Sequence, residues 1–211
     1  MMKNKIFAIL CLISGLSLFS GQKLDFKDKN LEKAVVENFD VNKSGSIEQL
    51  EADRVTNLFL VQKGITSTDD LRFFKNVKMI MLDDNNISNV MIRNMDHLEL
   101  FSCTGCNIST FEAENLKSLA SLYLDNNSLQ HISLKATPRI DQLTVSLNKL
   151  KTIDLTMLKN LRKLNIEHNQ IQKLDVSGNP GLQTLNVGGN KMKESDIKKG
   201  MKTDFTIFGA E

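Results

Sequence analysis

Seven stretches of this chain align at a spacing of 21 or 22 residues, beginning at Val55, Val77, Leu98, Leu119, Ile140, Leu161 and Leu182. Counting each of these as position one, apolar residues recur at positions four, six and eleven, as in Leu119-Leu122-Leu124-Leu129 and Ile140-Leu143-Val145-Leu150. A unit this short buries its apolar side only by stacking on its neighbours, so the array over residues 55–192 is expected to wind into a solenoid of about seven coils.

Side chains alternate along a strand, so positions four and six point inward together. This predicts a short strand over positions three to seven of each coil, paired in parallel with its neighbours about 4.8 Å away. Asparagine recurs at position nine as Asn85, Asn127, Asn148, Asn169 and Asn190, with Cys106 in the third coil and Lys63 in the first. A polar residue inside an apolar period needs its hydrogen bonds met. Stacked at one level, these amides can bond the backbone of the turn after each strand. Turn-forming asparagines in solvent would not keep so fixed an offset.

The motif L-x-x-L-x-L-x-x-N-x-L, repeated over these coils, resembles that of leucine-rich-repeat proteins, of the short-repeat type found among secreted bacterial members. Ile153-Asp154-Leu155 and Leu174-Asp175-Val176 resemble the L-D-x-S segment on the back of such coils. The resemblance implies an α/β repeat solenoid with parallel strands on a concave face, a helical N-terminal cap and an irregular back. It also implies a non-enzymatic module for protein–protein interaction.

The residues outside the apolar period then line the strand face. Position five reads Phe59, Met81, Ser102, Tyr123, Thr144, Asn165 and Asn186; position three reads Asn57, Met79, Leu100, Ser121, Gln142, Lys163 and Thr184. Apolar residues thus gather on the early coils. Phe59, Met79, Met81, Leu100 and Tyr123 form one patch if the coils stack in register, a candidate surface for a protein partner. The alternatives are cover by the N-terminal segment or scattered exposed apolar residues.

Ahead of the coils, Leu31, Val35, Val36 and Phe39 have helical spacing, which predicts an amphipathic cap helix within 28–39. Asp40 to Glu51 follows, with oxygen-bearing residues at the first, third, fifth, seventh, ninth and twelfth places and Gly45 at the sixth. This pattern resembles the calcium loop of an EF-hand. The resemblance implies Asp40, Asn42, Ser44, Ser46 through its carbonyl, Glu48 and Glu51 as ligands of a weak, structural Ca2+. The competing reading is a helix-terminating turn without metal.

Lys3 and Lys5, then the apolar run 6–19, then Ser20 and Gly21, follow the order of a secretory signal peptide over 1–21, removed to leave an exported protein with the cap over 22–54. An uncleaved anchor is the alternative. Losing Lys3 and Lys5 brings 27 basic residues to 25, equal to the 25 acidic ones. No net field then draws the chain to nucleic acid or to an anionic membrane. A monomer is expected. After Met192 the spacing drifts, and residues 193–211 are expected to close the array with a short helix from Ser195 to Lys199 and an edge strand near Phe205–Phe208.

No catalytic group is predicted. His97, His131 and His168 fall at three different repeat positions, and Asp83, Asp125 and Glu167, all at position seven, are expected to form a solvated acidic edge. Cys103 and Cys106 have C-x-x-C spacing, yet both fall at inward positions. Buried apolar residues are the first expectation, a local disulfide the second, and an active redox pair the third.

Overall fold

The protein is described by a computed structural model over residues 21–201 and 204–210; the expected leader lies outside the described residues. A strand occupies positions three to five of every coil: Asn57–Phe59, Met79–Met81, Leu100–Ser102, Ser121–Tyr123, Gln142–Thr144, Lys163–Asn165 and Thr184–Asn186. Thr206–Phe208 adds an eighth strand, and all eight form one parallel sheet in chain order. The register never slips, so Asn57, Met79, Leu100, Ser121, Gln142, Lys163 and Thr184 form one column, and Phe59, Met81, Ser102, Tyr123, Thr144, Asn165 and Asn186 a second.

The strands are shorter than the five residues predicted, for a local reason. Position eight is left-handed in every coil: Gln62, Asp84, Gly105, Asn126, Leu147, His168 and Gly189 all have φ between 52° and 69°. The chain must leave the extended region there. Inter-coil hydrogen bonding nevertheless continues past the strand, as in Leu124 N–H to the Thr144 carbonyl (2.9 Å) and Asn126 N–H to that of Ser146 (3.0 Å).

On the back, Asn89–Arg93, Thr110–Glu114 and His131–Lys135 form a second parallel sheet in coils two to four. Farther along, the back is irregular, as expected, because side chains capture the backbone locally. The Asp154 carboxylate accepts from the N–H and hydroxyl of Thr156, and that of Asp175 from the N–H and hydroxyl of Ser177.

Between the two faces lies the leucine core, with Leu122, Leu124, Leu143, Val145 and Ile166 fully buried. Each asparagine of position nine ties two coils together. Asn169 donates to the Val145 and Ile166 carbonyls (2.9 and 3.0 Å) and accepts from Leu150 N–H (2.9 Å); Asn148 and Asn190 repeat the pattern. Asn85 and Asn127 each accept from two N–H groups of the preceding coil. In the third coil Cys106 is disulfide-bonded to Cys103, and both are fully buried. The second expectation for this pair thus joins the first: the sulfurs are core and they are bonded. Cys106 Sγ lies 3.1 Å from the Leu82 carbonyl; a disulfide sulfur has no proton to donate, and that oxygen is served by Asn85 Nδ2 at 2.6 Å.

The cap helix is Lys29–Phe39, and it buries Leu31, Ala34 and Val35. Asp28 begins it and also fastens it. Asp28 Oδ1 accepts from the N–H groups of Asn30 and Leu31 (3.0 and 2.9 Å), which caps the helix. Its Oδ2 accepts from Thr66 N–H, Thr66 Oγ1 and Ser67 N–H in the first coil (2.6, 2.9 and 3.0 Å). At the other end, Glu194–Asp196 is a single 3-10 turn and Ile197–Lys198 a strand paired with Leu174–Asp175, so the helix predicted from Ser195 to Lys199 does not form. The run is too short to nucleate an α-helix, and edge pairing with the sixth coil competes for the same residues.

Candidate functional site: the strand face and the cap loop

In-register stacking brings the five candidate contact residues onto one face. Met79, Met81, Leu100 and Tyr123 are half-buried by their neighbours, while Phe59 is 61% exposed at the head of its column. One interruption was not foreseen. Ser102, between Met81 and Tyr123, is buried, and its hydroxyl donates to Asp83 Oδ1 at 2.5 Å. The patch also extends where sequence reasoning did not look. Val61 is exposed two residues beyond Phe59, as strand alternation past position five would have indicated, and Val41 in the cap loop is 72% exposed. Between cap and face lies a cleft of about 240 Å³, lined by Phe39, Val41 and Val55 together with Asn38, Glu51, Arg54, Thr56 and Asn57. Exposed apolar residues therefore gather on the cap loop and the first three coils, on either side of this mixed cleft, whereas coils five to seven present Thr144, Asn165, Asn186 and Lys163, and the eighth strand exposes Phe208.

Asp83 and Asp125 are not a solvated edge, which corrects the expectation for two of the three position-seven carboxylates. Asp125 accepts from Thr144 Oγ1 (2.5 Å), Ser146 N–H (2.7 Å) and Ser146 Oγ (2.6 Å) of the next coil. Asp83 does the same with Ser102 Oγ and Thr104 N–H. Acid and hydroxyl alternate over coils two to five, so these two acids find donors one strand away, whereas Glu167 faces Gly188.

The loop from Asp40 to Glu51 is wrapped by two left-handed residues, Lys43 and Gly45 (φ 58° and 76°). Its acceptors are held largely by its own donors. Asp40 accepts from the N–H groups of Ser44 (2.9 Å) and Gly45 (2.8 Å), and Asn42 Oδ1 from Ser44 (2.9 Å). Glu51 accepts from Val41, Asn42 and Glu48 N–H, the last of these at the start of the short helix Gln49–Ala52. Ser44 Oγ donates to the Ser46 carbonyl, and Asn42 Nδ2 to Glu48 Oε2. Glu48 and Glu51 are only 5% and 6% exposed. Among the described residues no three acidic, histidine or cysteine side chains gather closely enough to hold a metal ion. The position that EF-hand loops give to an apolar residue is filled by buried Ile47, whose carbonyl accepts from Leu24 N–H (2.9 Å). The N-terminal segment thus supplies the strand partner for this single loop.

Among the described residues no helix is long and apolar enough to cross a membrane. No protein-family model and no curated protein matches the chain. Solved structures do match. An internalin C2 of Listeria monocytogenes is 21% identical, with 80% of this chain and 87% of that one covered and a TM-score of 0.51. The functional domain of InlJ from the same organism, described as including a cysteine ladder, is 16% identical over 90% and 62%, at TM-score 0.43. A leucine-rich-repeat protein of Leptospira interrogans is 16% identical over 76% and 56%, at TM-score 0.44. The internalin C2 match together with the in-register coils establishes the fold: this chain is a leucine-rich-repeat solenoid.

Proposed function

We propose that the protein is an exported, non-enzymatic binding module that holds another protein against the strand face of its first coils. The observation that carries this reading is the gathering of exposed or half-exposed apolar residues, Val41 in the cap and Phe59, Val61, Met79, Met81 and Leu100 on the first coils, on a sheet whose fifth to seventh strands are polar and whose eighth carries exposed Phe208. An apolar stretch on a rigid sheet, rimmed by polar residues, has the composition of a contact surface, and methionine adapts to irregular partners. The leader-like residues 1–21 support export, and with it a partner met outside the cytoplasm. The test uses the mature chain to capture partners from the surroundings of the exporting cell. Met81→Lys and Tyr123→Ala should each weaken that capture while leaving circular dichroism and melting unchanged. Equal affinity in wild type and both variants overturns the reading.

A second reading, a calcium-stabilised cap of a structural or adhesive surface protein, rests on one feature. Glu48 and Glu51 are almost fully buried and, among the described residues, neither has an ion-pair partner. With Asp40 they place three negative charges in a twelve-residue loop that holds one lysine. Calcium would be held by Asp40, Asn42, Ser44, the Ser46 carbonyl, Glu48 and Glu51, with affinity of about 10⁻⁴–10⁻³ M, and would neutralise that charge. Calcium should then raise the melting temperature of wild type and not of Asp40→Ala. Identical melting in all four conditions leaves the loop as a turn alone.

A further inference from the structure

The N-terminal segment runs against the cap loop. Leu24 N–H donates to the Ile47 carbonyl (2.9 Å), Lys23 and Glu48 form an antiparallel bridge, and Leu24 and Phe26 are buried. At the head of this segment, Gly21 N–H donates to Glu48 Oε2 at 3.3 Å, beside Asn42 Nδ2 at 3.2 Å. The fit is close. A Cβ at residue 21 would stand 3.3 Å from Glu48 Cβ and 3.4 Å from Glu48 Oε2, so a larger residue would fit there only if Glu48 gave way. Glu48 is almost fully buried, and among the described residues no cation pairs with it. Lys23, opposite it in the bridge, is exposed and does not reach it. The donors to Oε2 are both neutral, and a buried carboxylate without a charge partner is costly. A cation standing where the Gly21 nitrogen stands would compensate it.

We propose that export supplies this cation: the leader is cut between Ser20 and Gly21, and the new α-ammonium of Gly21 pairs with Glu48. The proposal rests on the reading of the chain as exported, and it ends the leader one residue earlier than the sequence pattern suggests. Ser20 and Gly21 are both small enough to precede a leader cut, so the pattern alone leaves two bonds open. Only the cut before Gly21 keeps the residue that fits against Glu48; a cut after it would start the chain at exposed Gln22. In this step the leader peptidase of the exporting cell adds water across the Ser20–Gly21 amide. Ser20 takes the carboxylate and Gly21 the amine, which is protonated at neutral pH. One neutral N–H thereby becomes an ammonium with three donors, at an oxygen that already accepts from the same nitrogen, and a charge-assisted bond is the stronger kind. The precursor has an amide there and leaves Glu48 unpaired. Glu48 Oε2 also holds Asn42, next to Val41, so the cut completes the loop that carries the cap's share of the exposed apolar residues. Where the calcium reading neutralises Glu48 with a metal, here the chain's own N-terminus does so.

The first measurement expresses the full chain in an exporting bacterial host and reads the first residue of the recovered protein by N-terminal sequencing and intact mass. Gly21 with a free amine is expected. Protein recovered only at full length refutes export and the pairing with it; protein cut at any other bond leaves export standing and overturns the proposal. The second measurement compares melting, with a chelator present, of two chains released from a removable N-terminal fusion. One begins at Gly21; the other carries Ser20 and two further serines ahead of it, which turns the ammonium into an amide and moves the charge about 10 Å away. The chain beginning at Gly21 should melt roughly 5 °C higher, as breaking one side of a buried ion pair implies for a chain of this size. Glu48→Gln should lower the melting of that chain and leave the extended one equal or higher, because there it removes a charge with no partner. Equal melting of the two unsubstituted chains, or the same shift on Glu48→Gln in both, overturns the proposal.

Discussion

Replacing Asp28 tests whether the cap is part of the array's cooperative unit. The side chain is 6% exposed and accepts five hydrogen bonds, two from its own helix and three from the first coil. Loss of a helix cap costs about 1 kcal/mol. A hydrogen bond to a charged group contributes about 1.5–3 kcal/mol, and the contributions are not additive in one cluster. Asp28→Ala should therefore destabilise by about 4 kcal/mol, a large part of the 5–15 kcal/mol of a typical domain. Asp28→Asn keeps one acceptor oxygen and turns an amide toward Thr66 and Ser67 donors, so it should cost about half as much. Burial pushes the Asp28 carboxyl up, but the bonds from Leu31, Thr66 and Ser67 outweigh it and hold the group below the usual carboxylate range. A carboxylate depressed in the folded state stabilises fully above its unfolded value near 3.9 and loses that contribution as pH falls through the folded value. Urea unfolding followed by circular dichroism at pH 7, 4 and below should show wild type losing stability with acid and Asp28→Asn losing less. Amide exchange should place the opening of the variant in residues 29–39 and 60–67. A variant within about 0.5 kcal/mol of wild type, with the same acid slope, refutes the argument that one carboxylate joins cap and coil.

Three further outcomes are expected. The Cys103–Cys106 disulfide closes a four-residue loop, for which chain entropy gives about 2 kcal/mol. A double Cys→Ala variant should lose up to that amount, and neither Cys103 nor Cys106 should be alkylated before unfolding with reductant. Asn148→Ala removes an amide that bridges coils four and five and leaves the Leu129 N–H without its acceptor, while Asn127 and Asn169 still serve the Leu124 and Val145 carbonyls; it should cost about 2 kcal/mol by urea titration. Leu147 sits in the left-handed region, 52% exposed, where Asn126 stands in the coil before. Leu147→Asn should stabilise by about 1 kcal/mol, read as a higher midpoint.

The periodic parts of this molecule were legible because they follow from one rule applied seven times. Position four faces the core in every coil from Leu58 to Leu185, and the sheet register follows from equal coil lengths. What was missed depends on partners that a period does not name. Ser102 and Asp83 look like a surface serine and a surface acid until parallel pairing sets them side by side. Position nineteen holds Met95, Leu116 and Leu158 in the core, yet also Thr137 and Asn179, each with a buried oxygen that finds no hydrogen-bond partner among the described residues. Two left-handed columns, at positions eight and eighteen, carry residues as different as Leu147, His168 and Ala136. Only glycine or asparagine at those places would have announced the turn. The exposed half of the patch in the cap, Val41, was hidden because it lies inside a motif already assigned to metal.

These misses share a cause that bears on how the surfaces work. The core repeats every coil, but from the second coil on positions five and seven repeat every second one. Even coils carry an acid at position seven and a protruding residue at position five: Met81 with Asp83, Tyr123 with Asp125, Asn165 with Glu167. Odd coils answer with small groups that receive the acid: Ser102 with Thr104 and Thr144 with Ser146, ending at Gly188, which has no hydroxyl to offer. A side chain that binds its neighbour is withdrawn from solvent, so every acid-to-hydroxyl bridge leaves a low step between two projecting residues. At position five the projecting side chains Met81, Tyr123 and Asn165 are therefore spaced by two strands, about 10 Å, while at position three Met79 and Leu100 stand on adjacent strands. Asp125→Ala should loosen Thr144 and Ser146 and blur that spacing next to Tyr123, while the leucine core and the overall circular dichroism remain. If partner capture by the strand face survives the change unaltered, the alternation serves stability alone.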